Sequence, residues 1–187
     1  AEAVELIDTH NVRYFNATDD MIMAMLAADP RDHALPGLAC CGYGAFNASP
    51  EEMEKRASAR GVNLIGLYGM SEVMALFARR APSDDPATRC LGGGTLISPH
   101  ASVRVRDNNT GMLLPHNTPG ELEISGPGLM SEYFENATAT AAALTEDGYL
   151  RTGDLGYTTA DNTFVYLTRM GDTLRLGGFL VSPVEIE

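Results

Sequence analysis

Between residues 12 and 68 the chain alternates short apolar runs with helical patterns, and this rhythm restricts the fold more than any other feature of the sequence. Residues 12–15, 38–43 and 63–68 read as short buried strands. Between the first two, Thr18 is a suitable N-cap for a helix over residues 19–28. Asp19 and Asp20 stand in its first turn, where the helix dipole favours acids, and Asp29-Pro30 ends it. Before the third run, Ser49-Pro50-Glu51-Glu52 supplies a cap, a proline at the first helical position and a glutamate that closes a capping box. That helix is expected to run to Arg60 and stop at Gly61, and a further helix is expected over residues 2–10. Strand, helix, strand, helix, strand is the order of a parallel sheet with crossover connections.

After Arg80 the pattern changes. Residues 81–86 read as a connector, and Gly92-Gly93-Gly94 as flexible backbone. Residues 103–107, 121–124 and 164–167 alternate with period two, with turns at Asn108-Asn109-Thr110-Gly111 and Asp161-Asn162, as half-buried antiparallel strands do. A short helix is expected over 138–144. The chain of 187 residues is long enough for one good core or two small ones. Its net charge of −12 argues against nucleic acid and anionic membranes as partners. Any phosphate bound here must therefore be held by backbone amides, hydroxyls, a few arginines or a metal. The apolar run at 21–28 is too short to cross a bilayer, and no signal-like segment opens the sequence. Cys40, Cys41 and Cys90 form neither a disulfide framework nor a zinc pattern, which fits reduced thiols and a cytoplasmic location.

Several stretches could carry chemistry. In Tyr149-Leu150-Arg151-Thr152-Gly153-Asp154-Leu155-Gly156, Gly153 permits a tight bend, and a carboxylate held beside it can accept two hydrogen bonds side by side. The vicinal hydroxyls of a ribose suit such a group, although Asp beside Gly more commonly caps a turn. Tyr68-Gly69-Met70-Ser71-Glu72 follows the third strand, at the edge where α/β proteins bind ligands. Its tyrosine offers a flat face for a purine, its serine a hydroxyl for a phosphate oxygen, and its glutamate a ligand for Mg²⁺. The alternative is that Tyr68 packs in the core while Ser71 caps a helix containing Glu72. Gly42-Tyr43-Gly44 alone reads as a strand-end turn, and Gly92-Gly93-Gly94 is no phosphate loop, since no Lys-Ser/Thr follows it. Residues 169–178 alone read as a surface hairpin with solvated arginines.

In this order and spacing, the Tyr68–Glu72 motif, the Tyr149–Leu155 run and residues 169–187 resemble the adenylate-forming superfamily, which comprises acyl-CoA synthetases, beetle luciferases and peptide-synthetase adenylation domains. The resemblance runs through nearly all of the chain. It implies an α/β plus β fold: part of a parallel sheet with crossover helices over 1–85, a small distorted antiparallel β-barrel over 86–168, and the hinge and start of a mobile C-terminal domain over 169–187. It implies that Tyr68, with Gly69, stacks on adenine, that Ser71 meets the α-phosphate and that Glu72 serves the metal. Gly44, Ala45 and Phe46 would lie against the base, with Asn47 where the family often has proline. Asp154 would hold the ribose. Arg169 would reach the ribose and phosphates, and a hinge would fall at Gly171, with Asp172 beside it. Ser71, Glu72 and Arg169 form the implied catalytic set, with ATP or AMP, Mg²⁺ and CoA as the small molecules. The tail Gly177-Gly178-Phe179-Leu180-Val181-Ser182-Pro183 leans toward acyl-CoA synthetases.

The expected function is that of a central piece of an ATP-dependent acid–thiol ligase, which activates a fatty or aromatic carboxylic acid as an acyl-adenylate and passes it to CoA. The alternatives are adenylation for a carrier protein, luciferase-type chemistry or, for this chain alone, a non-catalytic module binding a nucleotide or a protein. The family's phosphate-loop lysine and small-domain lysine are expected to lie outside this sequence, whose single lysine is Lys55. The chain alone is accordingly expected to be inactive, and the exposed edge of its partial sheet to favour self-association.

Overall fold

The computed structural model describes residues 2–44, 49–160, 162–170, 174–176 and 179–181. They divide into two compact units, one comprising Ala1–Leu67, Arg80–Gly92 and Leu174–Glu187, the other Tyr68–Arg79 and Gly93–Thr173. No helix among the described residues is long and apolar enough to cross a membrane.

The first unit holds α1 (Glu2–Thr9), β1 (Tyr14–Thr18), α2 (Asp19–Ala28), β2 (Cys40–Gly44), α3 (Pro50–Ser58), β3 (Leu64–Tyr68, whose last residue counts with the second unit) and α4 (Pro86–Arg89). The three strands are parallel, in register from Tyr14↔Cys40 to Thr18↔Gly44 and from Cys41↔Leu64 to Tyr43↔Gly66. Local chemistry starts each crossover helix as expected: Thr18 accepts a hydrogen bond from the Met21 amide, and Ser49 from the Glu52 amide. Ile22, Leu26, Tyr43, Met53 and Leu64 fill the core. Asp29 does more than end α2. Its buried carboxylate accepts from Arg31 Nε at 2.7 Å and from the Leu35 amide at 2.9 Å. The Arg60 guanidinium then donates to the carbonyls of Leu26 and Asp29, which closes the C-terminal end of that helix.

The second unit is antiparallel. β4 (Ala78–Arg79), β5 (Gly93–Leu96), β6 (Ser102–Arg106), β7 (Gly120–Ser125), β8 (Leu150–Ala160) and β9 (Thr163–Arg169) are ordered β4-β5-β9-β8-β7-β6, with α5 (Ala137–Ala143) before β8. The fold class anticipated above holds with one refinement. Among the named strands β6 pairs with β7 alone, with a single further bridge from Arg106 to Leu113, so the ladder stays open where a small barrel was expected. A second difference concerns Gly92-Gly93-Gly94, read as a flexible connector, of which Gly93 and Gly94 lie in β5. The reason is steric: a Cβ on Gly93, whose φ is +97°, would stand 2.5 Å from the Phe164 carbonyl oxygen of β9. Phe164, Leu122, Ile124, Leu150 and Val105 form the core of this unit. β10 (Leu174–Leu176) and β11 (Phe179–Val181) pair as an antiparallel ribbon.

Two acids are buried in the second sheet, Glu123 and Asp154. Glu123 of β7 is 0% exposed and sits between two arginines of β6. Arg104 Nε donates to it at 2.5 Å and Arg106 Nε at 2.6 Å, and Arg104 also pairs with Asp147 and lies 3.8 Å from the centre of the Tyr149 ring. Burial pushes the Glu123 carboxyl up, but the hydrogen bonds and charges of Arg106 and Arg104 outweigh it, so the net shift is below the ordinary value of 4.5. Stabilisation from a lowered carboxyl is complete above the unfolded value and fades as pH falls through the folded one. Glu123→Gln should therefore cost about 1.5–3 kcal/mol at neutral pH, the worth of hydrogen bonds to a charged group. Thermal unfolding followed by circular dichroism should show that gap narrowing below roughly pH 4.

Candidate active site

The site is built around a bulge in β8. Against β7 the register runs from Glu121↔Leu155 to Glu123↔Arg151, so residues 152–154 of β8 face Leu122 alone. Gly153 makes this possible with a φ of +67°, a region other residues seldom enter. Thr152 fixes the bulge: its hydroxyl donates to the Leu122 carbonyl at 2.7 Å and accepts from the Asp154 amide at 3.0 Å. The tight bend that Gly153 permits is thus an irregularity inside a long strand.

The bulge sets Asp154 directly opposite Arg169 of β9. Arg169 Nη1 donates to Asp154 Oδ1 at 3.0 Å, and the Tyr68 hydroxyl donates to Oδ2 at 2.6 Å. A Cβ on Gly153 would stand 3.4 Å from Arg169 Nη2, so the guanidinium lies over the bare glycine. Asp154 is 4% exposed, whereas the Arg169 side chain is 43% exposed. The Tyr68 ring packs edge-on to Phe164, with centroids 5.0 Å apart at 90°, and 5.7 Å from Tyr166. Burial first, then the charge of Asp154, push its phenol well above the ordinary range, so this hydroxyl remains a donor.

Glycine also shapes the turn that follows Tyr68. A Cβ on Gly69 would meet the Ala75 carbonyl oxygen at 1.9 Å, and this close approach folds residues 70–75 into a tight knot. The amides of Val73 and Ala75 both donate to the Met70 carbonyl, and Met74 and Ala75 are both left-handed, with φ of 59° and 72°. Ser71 opens a three-residue 3₁₀ turn, Ser71–Val73, whose cap position is Met70, so Ser71 caps no helix. Its side of the turn is exposed, while Glu72 is half-buried. Glu72 Oε1 accepts from the Tyr133 hydroxyl at 2.8 Å, and its backbone carbonyl accepts from the Met130 amide at 2.8 Å.

Tyr133 has no place in the motifs read from the sequence. Its only sequence signal is position: it lies three residues before Asn136, whose side chain caps α5. Burial, then the hydrogen bond and charge of Glu72, push its phenol up, while Arg169 pulls it down. Arg169 thus acts electrostatically on Asp154 on one side and on Tyr133 on the other.

Among the described residues no three His, Cys, Asp or Glu side chains converge on a metal position. The lone carboxylate of Glu72 fits a different mode, in which Mg²⁺ keeps several waters and is held by one or two carboxylates and substrate phosphates. Gly44 closes β2 in the first unit. Ala45, Phe46, Asn47, Gly171 and Asp172 lie outside the described residues.

Residues 1–134 match the family described as AMP-binding enzyme, and the chain belongs to that family of adenylate-forming enzymes. It is similar to 4-coumarate–CoA ligase-like 4 of Oryza sativa subsp. japonica, at 32% identity over 187 residues, covering 100% of this chain and 33% of that protein. With 4-coumarate–CoA ligase 2 of Solanum tuberosum the identity is 31% over 195 residues, covering 100% of this chain and 35% of that protein. Among solved structures, O-succinylbenzoate coenzyme A synthetase of Bacillus subtilis, in complex with ATP and magnesium ion, shares the fold with a TM-score of 0.77 at 24% identity, covering 100% of this chain and 38% of that one. The chain spans about a third of the length of the curated relatives it matches.

The contact under Gly69 gives a test of how the turn is held. Gly69→Ala places a methyl group 1.9 Å from the Ala75 oxygen, so the knot carrying Ser71 and Glu72 has to open. We expect a lower thermal midpoint and faster amide exchange at Val73 and Ala75, read by NMR. Unchanged exchange at both amides would show that the turn does not depend on that approach.

Proposed function

We propose that this chain is the central part of an ATP-dependent acid–thiol ligase, one that joins a carboxylic acid to CoA through an acyl-adenylate. The observation that carries this reading is the meeting of Tyr68, 86 residues earlier in the sequence, and Arg169 at the carboxylate of Asp154. In this reading Asp154 accepts the ribose hydroxyls of the nucleotide, and Tyr68 and Arg169 hold the carboxylate in orientation. The edge of the Tyr68 ring would face the purine side, held from behind by Phe164 and Tyr166 in the core. Ser71, exposed at the start of its turn, donates to an α-phosphate oxygen, and Glu72 ligates the Mg²⁺ that travels with the phosphates. Magnesium would supply charge neutralisation on the phosphates.

The chemistry then runs in two balanced steps. A carboxylate oxygen of the acid attacks the α-phosphorus of ATP, and the bond to the β-phosphate oxygen breaks, releasing pyrophosphate. The CoA thiolate next attacks the acyl carbon, and the bond to AMP breaks. Arg169, partly exposed, supplies a cation for the developing negative charge at the α-phosphate. A cavity of about 210 Å³ lined by Val73, Met74, Phe77, Ile97, Ala101 and Leu129 begins one residue after Glu72. Its apolar walls suit an acid with an apolar body, whose carboxylate would then lie toward the Ser71–Glu72 turn.

AMP binding to the 187-residue chain, followed by NMR titration, tests the nucleotide site. Asp154→Ala should weaken AMP by about 1.5–3 kcal/mol, the worth of hydrogen bonds to a charged group. A 2′,3′-dideoxy nucleotide should bind the unaltered chain as poorly as AMP binds the variant. Equal affinity of the variant and the unaltered chain for AMP would sink the ribose assignment. Pyrophosphate exchange by the chain alone should stay at the level of the Asp154→Ala control, because Lys55, its single lysine, lies in α3 outside these motifs.

A further inference from the structure

Segment 130–133 grips Glu72 twice. The Met130 amide donates to its backbone carbonyl at 2.8 Å, and the Tyr133 hydroxyl donates to its carboxylate at the same distance. The second grip is itself anchored. The Tyr133 amide donates to the Thr140 hydroxyl at 2.9 Å, that hydroxyl donates to the Asn136 carbonyl at 2.9 Å, and the Asn136 amide donates back to the Tyr133 carbonyl at 3.1 Å. Asn136 also caps α5 through the Ala139 amide. The phenol is therefore held by a closed ring of hydrogen bonds at the start of a helix. Glu72, by contrast, stands on a 3₁₀ turn of three residues followed by two left-handed ones.

The buried carboxylates of Asp29, Glu123 and Asp154 are each paired with an arginine. An arginine would orient the group but also neutralise it. A tyrosine orients one oxygen and leaves the negative charge in place, which is what a carboxylate needs if it is to attract a cation.

We propose that Tyr133 is a positioning residue for Glu72: its hydroxyl occupies Oε1 and so presents the other carboxylate oxygen to a divalent cation bound to the nucleotide's phosphates. This inference rests on reading Glu72 as the cation's protein ligand, and the two can fail separately.

The test compares binding of Mn²⁺·ATP, read by electron paramagnetic resonance, with binding of metal-free AMP, read by NMR, for the 187-residue chain and for Tyr133→Phe and Glu72→Gln. Tyr133→Phe keeps the ring and should keep the thermal midpoint near that of the unaltered chain. We expect it to weaken Mn²⁺·ATP roughly tenfold while leaving AMP unchanged, as loss of a group that orients a metal ligand does. Glu72→Gln should weaken Mn²⁺·ATP at least as much, and the double variant no further. Unaltered Mn²⁺·ATP affinity in Tyr133→Phe beside a loss in Glu72→Gln would overturn the positioning role alone. Equal losses for AMP and Mn²⁺·ATP in Tyr133→Phe would reduce Tyr133 to a scaffold residue and overturn it likewise. Unaltered affinity in Glu72→Gln, or no Mn²⁺·ATP binding by the unaltered chain, would overturn the reading of Glu72 and the inference with it.

Discussion

A charged carboxylate that is nearly out of water has to be answered by donors fixed in place, and Asp154 shows what that demands of a fold. Its donors come from the last residue of β3 and from the end of β9, while it sits on a bulge in β8. Neither donor would reach it if β8 were regular, because the bulge decides where the side chain emerges. The bulge in turn needs a residue free to take a positive φ and a hydroxyl that satisfies the backbone groups left unpaired, which Gly153 and Thr152 supply. Burying an isolated carboxylate would otherwise cost several kcal/mol or force it to take up a proton.

The same solution recurs at two positions that carry no chemistry. Asp29 in the first unit and Glu123 in the second are both buried and both tied to arginine forks. In a chain with one lysine, arginine does nearly all the cationic work. Its rigid, weakly hydrated guanidinium suits such places better than an ammonium would. Glu72 departs from this habit, with a neutral phenol where the others have a cation.

What the sequence revealed depended on the range of the interaction. The starts of α2 and α3 were legible because a cap and its acceptor amide lie three residues apart, as at Thr18–Met21 and Ser49–Glu52. The alternation at 121–124 correctly announced β7, but the buried role of Glu123 was invisible, since it is defined by arginines on another strand. Asp29 was read only as a helix stop, because its partner Leu35 lies in an irregular stretch with no periodicity. The Tyr68–Glu72 and Asp154 stretches stood out as motifs in a familiar order; the bond between Tyr68 and Asp154 spans 86 residues and no local rule foretells it. Tyr133 leaves no motif in the sequence for the same reason, its partner being 61 residues away. Gly93 misled outright: a glycine that admits a neighbouring strand looks, in a sequence, like one that loosens a loop.

The inward face of β8 has a bearing on how such a chain can vary in length. Leu150, Thr152, Asp154, Gly156 and Thr158 are buried in strict alternation on either side of the bulge. Since neighbouring residues of a strand point to opposite faces, removing or adding one residue before Asp154 within that strand would turn the carboxylate outward and an apolar or glycine neighbour inward. Changes of two residues would preserve the alternation. Parity, more than the count of residues, therefore decides which face of the strand the carboxylate takes.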